Sequence, residues 1–249
     1  MYKIAAITKN FPRHFDFIVS LMETGCLCGV AMVLDENNTF IKENEKLNDY
    51  YQKSEHKFFG NKFNNISRIK THTFKEDEVN SEKFIDFVNS LSPDLTIIFD
   101  IDNLNDNTLE SINNNIWKYH FGYFQNYAGI NCNIYAATLN KAQTICTTLI
   151  EYKNNKYDGR IIHQTNANFR QEDTVTDAEF RSLRKMMLDM EKIINLYNNN
   201  NITYYNNTNP MIIDYHVIDK SKLQNIIENS SFLVKNLCDD EEINFIKQI

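Results

Sequence analysis

The first 35 residues constrain the fold more than any other part of the chain, because they read as one strand–helix–strand unit. "YKIAAIT" is a short apolar run of the kind found in a buried parallel strand. "KNFPRHFDFIVSLMETG" follows, with Pro12 suited to a first helical turn, Phe15, Ile18, Val19 and Met22 on one face, and Gly25 as the stop. "LCGVAMVLD" is a second apolar run. A helix between two such strands is the connection that parallel pairing needs, so the expected fold is α/β with a mostly parallel sheet.

The alternation recurs downstream. A polar stretch after Asp35 shows no clear period until "SEKFIDFVNSLSPD", where Ser81 can cap a helix carrying Phe84, Phe87 and Val88 inward. "DLTIIFD" is a third strand, a short helix is expected around Leu109, "IWKYHF" is a strand and "NCNIYAATLN" a helix. "QTICTTLIEY" and "RIIHQT", joined by the polar turn "KNNKYDG", add an antiparallel part. Thr176 with Glu179 reads as a capping box for a long helix whose core stripe is Phe180, Leu183, Met187, Met190, Ile194 and Tyr197. The asparagine-rich segment 198–209 marks a boundary between a domain of residues 1–200 and a short extension, 201–249, holding a strand in "PMIIDYHVID" and a helix in "KSKLQNIIENSSFL".

Composition excludes several function classes. A net charge of −7 over 249 residues argues against binding the nucleic-acid backbone. The five cysteines form no C-x-x-C pair and no zinc-like spacing with histidine, so no metal is expected, and their odd number suits a reducing compartment. The N-terminus turns polar too soon for a signal peptide, and no apolar run reaches membrane-span length. A soluble cytoplasmic protein is expected. The first strand–helix turn, "TKNFPRH", has no glycine, which argues against a dinucleotide fingerprint, and no Walker loop exists. Arg13 and His14 fall at a helix start that favours anions, such as a substrate phosphate; a solvated surface position for Arg13 is the equal alternative.

The functional signal lies in "YHFGYFQNYAG", residues 119–129. Two of only 6 glycines, Gly122 and Gly129, sit here, in a loop that follows His120 at a strand end. Glycine in a chain so sparing with it points to positive φ or close backbone approach. Asp158 in "KYDGRIIHQ" is a second candidate, since a carboxylate beside an imidazole can orient it for acid/base work. His163 reads as a strand-face histidine, and His56, His72 and His216 form no evident ligand cluster.

Together these residues resemble the formyltransferase family of methionyl-tRNA, glycinamide-ribonucleotide and sugar N-formyltransferases. That family carries N-x-H-x-G at a strand end, then P-x-Y-R-G, then D-x-G before an apolar strand. His120 and Gly122 match the first motif, Tyr127 and Gly129 the second, and Asp158 with "RIIHQ" the third, with Gly159 one place early. Lys118 stands at the family asparagine, Gln125 at the loop proline and Ala128 at the loop arginine. The likeness spans roughly residues 1–200. It is strongest to the small sugar enzymes, through "ITKNFPRHFDFI" and "EHKFFGN".

The resemblance implies a mostly parallel, Rossmann-like sheet of the formyltransferase type with a short C-terminal appendage. It implies formyl-tetrahydrofolate as donor and a nucleotide-linked amino sugar as acceptor. His120, Asp158 and Lys118 take the catalytic positions, Arg13, His14 and Tyr127 the substrate, and Gly122 and Gly129 the folate. Lys118 either donates to the developing oxyanion or marks a catalytically degenerate folate- or sugar-nucleotide-binding module. A homodimer through "NPMIIDYHVID" and the Met-rich helix is a further expectation.

Overall fold

Ile4, Ala5, Ala6 and Ile7 are all buried, the environment that the opening apolar run demands, and they form β1 (Ile4–Lys9) in the interior of a sheet. The computed structural model describes residues 2–35, 44–60, 66–112, 114–153, 155–207, 210–213, 217–229 and 232–249, and for 153 and 155–158 the backbone without side chains. β1 is flanked by β2 (Leu27–Leu34) and β4 (Leu95–Ile98), both parallel to it. β3 (Thr71–Lys75) extends the sheet beyond β2, and β5 (Asn115–Phe121) beyond β4. β7 (Cys146–Lys153) and β8 (Asn155–Asn166) then add antiparallel, giving the order β3-β2-β1-β4-β5-β7-β8.

Alternation along the strands sends side chains to two layers. Ile4, Val30, Leu95, Trp117 and Leu149 face a core built with α1 (Pro12–Glu23), α2 (Glu45–Phe59), α5 (Cys132–Thr138), α6 (Val175–Asn198) and α7 (Lys220–Glu228). Ile7, Ala31, Ile98 and Ile116 face a second core with α3 (Glu82–Ser90), while Leu109 of α4 (Asp106–Ser111) joins that side. A separate pair, β6 (Tyr127–Gly129) and β9 (Met211–Ile213), runs parallel, so residues 201–249 pack back onto the rest through Ile213, Leu223, Ile227 and Val234. Asp214, Tyr215 and His216 lie outside the described residues.

Several local expectations are corrected. α1 buries Arg13, His14, Phe17, Ile18 and Leu21, whereas Phe15, Val19 and Met22 are only half-buried. The helix is rotated because two polar residues at its start turn inward to carboxylates. The cap of α6 is Thr174, boxed with Asp177, two residues before the expected pair. The polar stretch after Asp35 holds an unforeseen helix, α2, and an unforeseen edge strand, β3. Met186, Met187 and Met190 are buried in the core, so the Met-rich face of α6 is not available to a second subunit, while Met211 and Ile212 are exposed.

Candidate active site

The chain runs outward from β1 to β2 and β3, then crosses back to β4 and β5. The order therefore reverses between β1 and β4, and in open α/β sheets ligands collect at the carboxyl ends beside that reversal. A cleft of about 210 Å³ opens at this place, with Lys9 and Phe11 from the β1 end, Asp100 and Asp102 from the β4 end, and Lys118 and His120 from β5 on its walls.

The loop after β5 explains its glycines. Gly122 has φ +150°, and a β-carbon there would lie 2.5 Å from Cys132 Cβ and 3.1 Å from His120 Nε2. Gly129 has φ +118°, and a β-carbon would run into the carbonyl oxygen of Ile213 across the β6–β9 pair. Gly129 itself borders the cleft, whereas Gly122 acts through its carbonyl, which accepts a 2.7 Å bond from Thr148 Oγ1.

His120 is buried, stacked edge-on against Phe124, with Nε2 3.1 Å from the carbonyl oxygen of Tyr127. A carbonyl only accepts, so Nε2 carries the proton and Nδ1 is the acceptor of the neutral ring. Burial lowers its pKa to about 4, helped by the Lys118 cation, so the ring is neutral at pH 7. Tyr127 thus reaches the site through its backbone. Lys118 shares the strand face of His120, lines the same cleft and places Nζ 2.7 Å from Asp102 Oδ1.

Arg13 and His14 form a paired network. Arg13 is 3% exposed, with Nη1 2.7 Å from Glu55 Oε1 and Nη2 2.6 Å from Asp100 Oδ2. The solvated-surface alternative for Arg13 is therefore overturned. His14 is held by Thr8 Oγ1 at 2.6 Å from Nδ1, with Nε2 3.4 Å from Asp100, and burial beside Arg13 lowers its pKa to about 3. Asp100 takes φ +59°, uncommon for a residue with a side chain. Burial alone would raise its pKa, but Lys9, Arg13 and His14 hold it well below the usual carboxylate range.

Two cleft residues escaped sequence reasoning. Glu179 is 4% exposed, accepts a 2.9 Å bond from Asn133 Nδ2, and has its pKa pushed up to about 7, chiefly by burial. Tyr51 of α2 lies against it, its own pKa raised well above the usual phenol value by burial and by Glu179. The misplaced capping box had assigned Glu179 to the helix end. Asp158 is different. Its side chain lies outside the described residues, while the register Glu151↔Arg160 and Tyr152↔Ile116 sets its backbone near the hairpin end of β7 and β8, at the far end of β5 from His120. His163 is buried against Asp189 at 3.3 Å and accepts from the backbone N–H of Gln248 at 3.0 Å. Among the described residues no helix is long and apolar enough to cross a membrane.

No protein-family model and no curated protein matches the sequence. Solved structures match in three dimensions. An N-formyltransferase from Helicobacter canadensis, in complex with folinic acid and dTDP-3-aminofucose, superposes over 88% of this chain and 73% of its own with a TM-score of 0.54 at 18% identity. The fold is that of the N-formyltransferases. The formyltransferase PseJ from Anoxybacillus kamchatkensis, in complex with UDP-4,6-dideoxy-4-formamido-L-AltNAc and tetrahydrofolate, covers 94% of this chain and 97% of its own at TM-score 0.54 and 11% identity. A phosphoribosylglycinamide formyltransferase from Anaplasma phagocytophilum covers 85% and 97% at TM-score 0.56 and 14% identity. In this formyltransferase fold the cleft, with Lys118 and His120, lies at the switch point that the strand order creates.

Proposed function

We propose that the protein transfers a formyl group from formyl-tetrahydrofolate to the amine of a nucleotide-linked amino sugar in the cytoplasm. The observation that carries this reading is the convergence of Lys118 and His120 on one cleft at the switch point of a formyltransferase fold. Sugar formyltransferases of the same fold have been solved with 5-N-formyl-THF or folinic acid together with dTDP or a dTDP sugar, and with tetrahydrofolate and a UDP sugar, which supports both the donor and the acceptor class. Phe11, Phe121, Ile130 and Phe180 give the cleft apolar walls, so these residues fit a folate.

When bound, the folate supplies an activated formyl carbon. Lys118, which lines the cleft with its ammonium paired to Asp102, would donate to the oxygen that gains charge when an amine attacks. His120 contributes Nδ1 as an acceptor at the same end, and Tyr127 fixes its tautomer. Arg13 and His14 keep the β1 and β4 ends in register through Asp100 rather than meeting a phosphate directly. Asp158, whose backbone lies at the far end of β5 from His120, does not border this cleft, so the expected pairing of the two is given up and Asp158 takes no part in the reaction proposed here. The exposed Met211 and Ile212 suit a contact between two copies.

The test is direct. Purified protein is incubated with formyl-tetrahydrofolate and a panel of dTDP- and UDP-linked amino sugars, and formamido products are followed by mass spectrometry. Formation of one such product, abolished in His120→Ala, is expected. Tight folate binding without product on any acceptor would leave the binding-module reading in its place.

A further inference from the structure

The cleft contains more carboxylates than the proposed reaction has used. Asp35 pairs with Lys9 at 3.4 Å, Asp102 with Lys118 at 2.7 Å, and Asp100 with Arg13 at 2.6 Å; Glu55, behind the wall, also pairs with Arg13 at 2.7 Å. Asp100, held by Lys9 and Arg13 well below the usual carboxylate range, is a poor base, and Asp35, Asp102 and Glu55 are each committed to a cation. Glu179 differs, because its hydrogen-bond donors are the neutral side chains of Asn133 and Tyr51. Its side chain forms part of the cleft wall beside Phe180 although the residue is 4% exposed.

Its position also connects it to His120. Asn133, which donates to Glu179 Oε2, follows Cys132, and Cys132 packs against Gly122 next to the His120 ring. The groups facing Glu179 are Tyr51 from α2, Arg13 from α1, Asp100 from the β4 end and Cys132 from α5, with Lys118 and His120 across the cleft. Arg13 favours its ionised form and Asp100 opposes it.

We infer that Glu179 is the catalytic base that takes the proton from the attacking amine, an inference that rests on reading the cleft as a formyltransferase site. The amine nitrogen bonds to the formyl carbon and the carbonyl π pair moves to the oxygen beside Lys118. The nitrogen's surplus proton passes to a Glu179 carboxylate oxygen. As the carbonyl re-forms, the bond from carbon to the folate nitrogen breaks. That nitrogen keeps the bonding pair and receives the proton from Glu179, which returns to its ionised form. Atoms and charge balance with no further reactant. Glu179 has its pKa near 7, whereas His120 lies at about 4, so the working base and the histidine separate on the pH axis.

The experiment measures kcat/KM for formyl transfer from pH 5.5 to about 9 in wild type, Glu179→Gln and Tyr51→Phe. Infrared carboxyl titration of the same proteins without substrate is run in parallel. Wild type should gain rate with rising pH through a half-point close to 7, matched by loss of a protonated carboxyl band that Glu179→Gln lacks. Glu179→Gln, whose amide oxygen can still accept from Asn133, should keep its thermal midpoint, lose about 100-fold or more in rate and lose that limb. Tyr51→Phe removes a donor to the ionised form, so the limb should move to higher pH. Wild-type transfer with a Gln variant of equal rate, or with the limb persisting in it, assigns the limb to the acceptor amine and overturns the inference alone. A limb unmoved by Tyr51→Phe overturns it also. Absence of transfer to any acceptor in wild type fails the reading of the site itself, and the inference falls with it.

Discussion

Replacing Arg13 with methionine separates two accounts of the buried network at the start of α1. The guanidinium lies within 2.7 Å of Glu55 and 2.6 Å of Asp100, and it is 3% exposed. Methionine fills similar volume but leaves two carboxylates facing a lost charge. Breaking a buried pair by removing one partner costs about 3–5 kcal/mol. With a urea slope near the upper end for domains, about 3 kcal/mol per M, the midpoint should fall by roughly 1–1.7 M. The cost has a signature in pH. Asp100 is held well below its usual value in the folded state, so its contribution is present above the unfolded value and is lost as pH falls through the folded one. The gap between wild type and Arg13→Met is therefore full at pH 7 and narrows below about pH 4. Adding Glu55→Met should recover part of the loss, since one stranded carboxylate is removed. Urea unfolding followed by circular dichroism at pH 7 and at low pH reads all of this. A loss under about 1 kcal/mol joined to a large rise in acceptor KM would refute the paired-network account and make Arg13 a ligand-binding cation.

Lys118→Met should lower formyl transfer by about 100- to 1000-fold while Lys118→Asn keeps or raises it, read from initial rates at saturating donor. Transfer found only in Lys118→Asn would mark the wild type as a binding protein. Gly129→Ala cannot keep φ +118° without meeting the Ile213 carbonyl, so it should cost about 1–3 kcal/mol and speed amide exchange at 127–130 and 211–213. His120→Gln should flatten the pH dependence of stability between 6.5 and 4. The buried ring, with its pKa lowered from 6.5 to about 4, stabilises the fold above that window and loses the contribution as pH falls, which calorimetry at several pH values will show.

The sheet was legible because its strands are apolar runs whose only plausible environment is a two-sided core, and "YKIAAIT", "DLTIIFD" and "IWKYHF" all fall on observed strands. α2 was not legible for a specific reason. Its inward face carries Ser54 and Glu55 among Leu47, Tyr51 and Phe59, because it meets Asp177 and Arg13 as well as apolar partners. A hydrophobic period cannot register a face that is half hydrogen bond. β3 hides similarly, with Phe74 as its one fully buried residue. At the site, His120 was found because glycine and strand end coincide at one place. Glu179 was hidden because a helix-start glutamate reads as a cap, and only the true cap, Thr174 with Asp177, releases it for the cleft.

The parallel pairing of Tyr127, Ala128 and Gly129 with Met211, Ile212 and Ile213 also sets an order of events in time. Residues 127 and 211 are 84 positions apart, and closing a flexible loop of that length costs on the order of 4 kcal/mol in chain entropy before any contact forms. Synthesis at 5–20 residues per second puts about 4–17 s between the emergence of one partner and the other. During that interval β1 to β5 have been made and can pair, but the segment beside His120 has no strand to lie against. A nascent or nicked chain lacking residues 211–213 would therefore retain the sheet and expose the 122–129 segment to proteases, making cleavage there a clock for completion of the last step of folding.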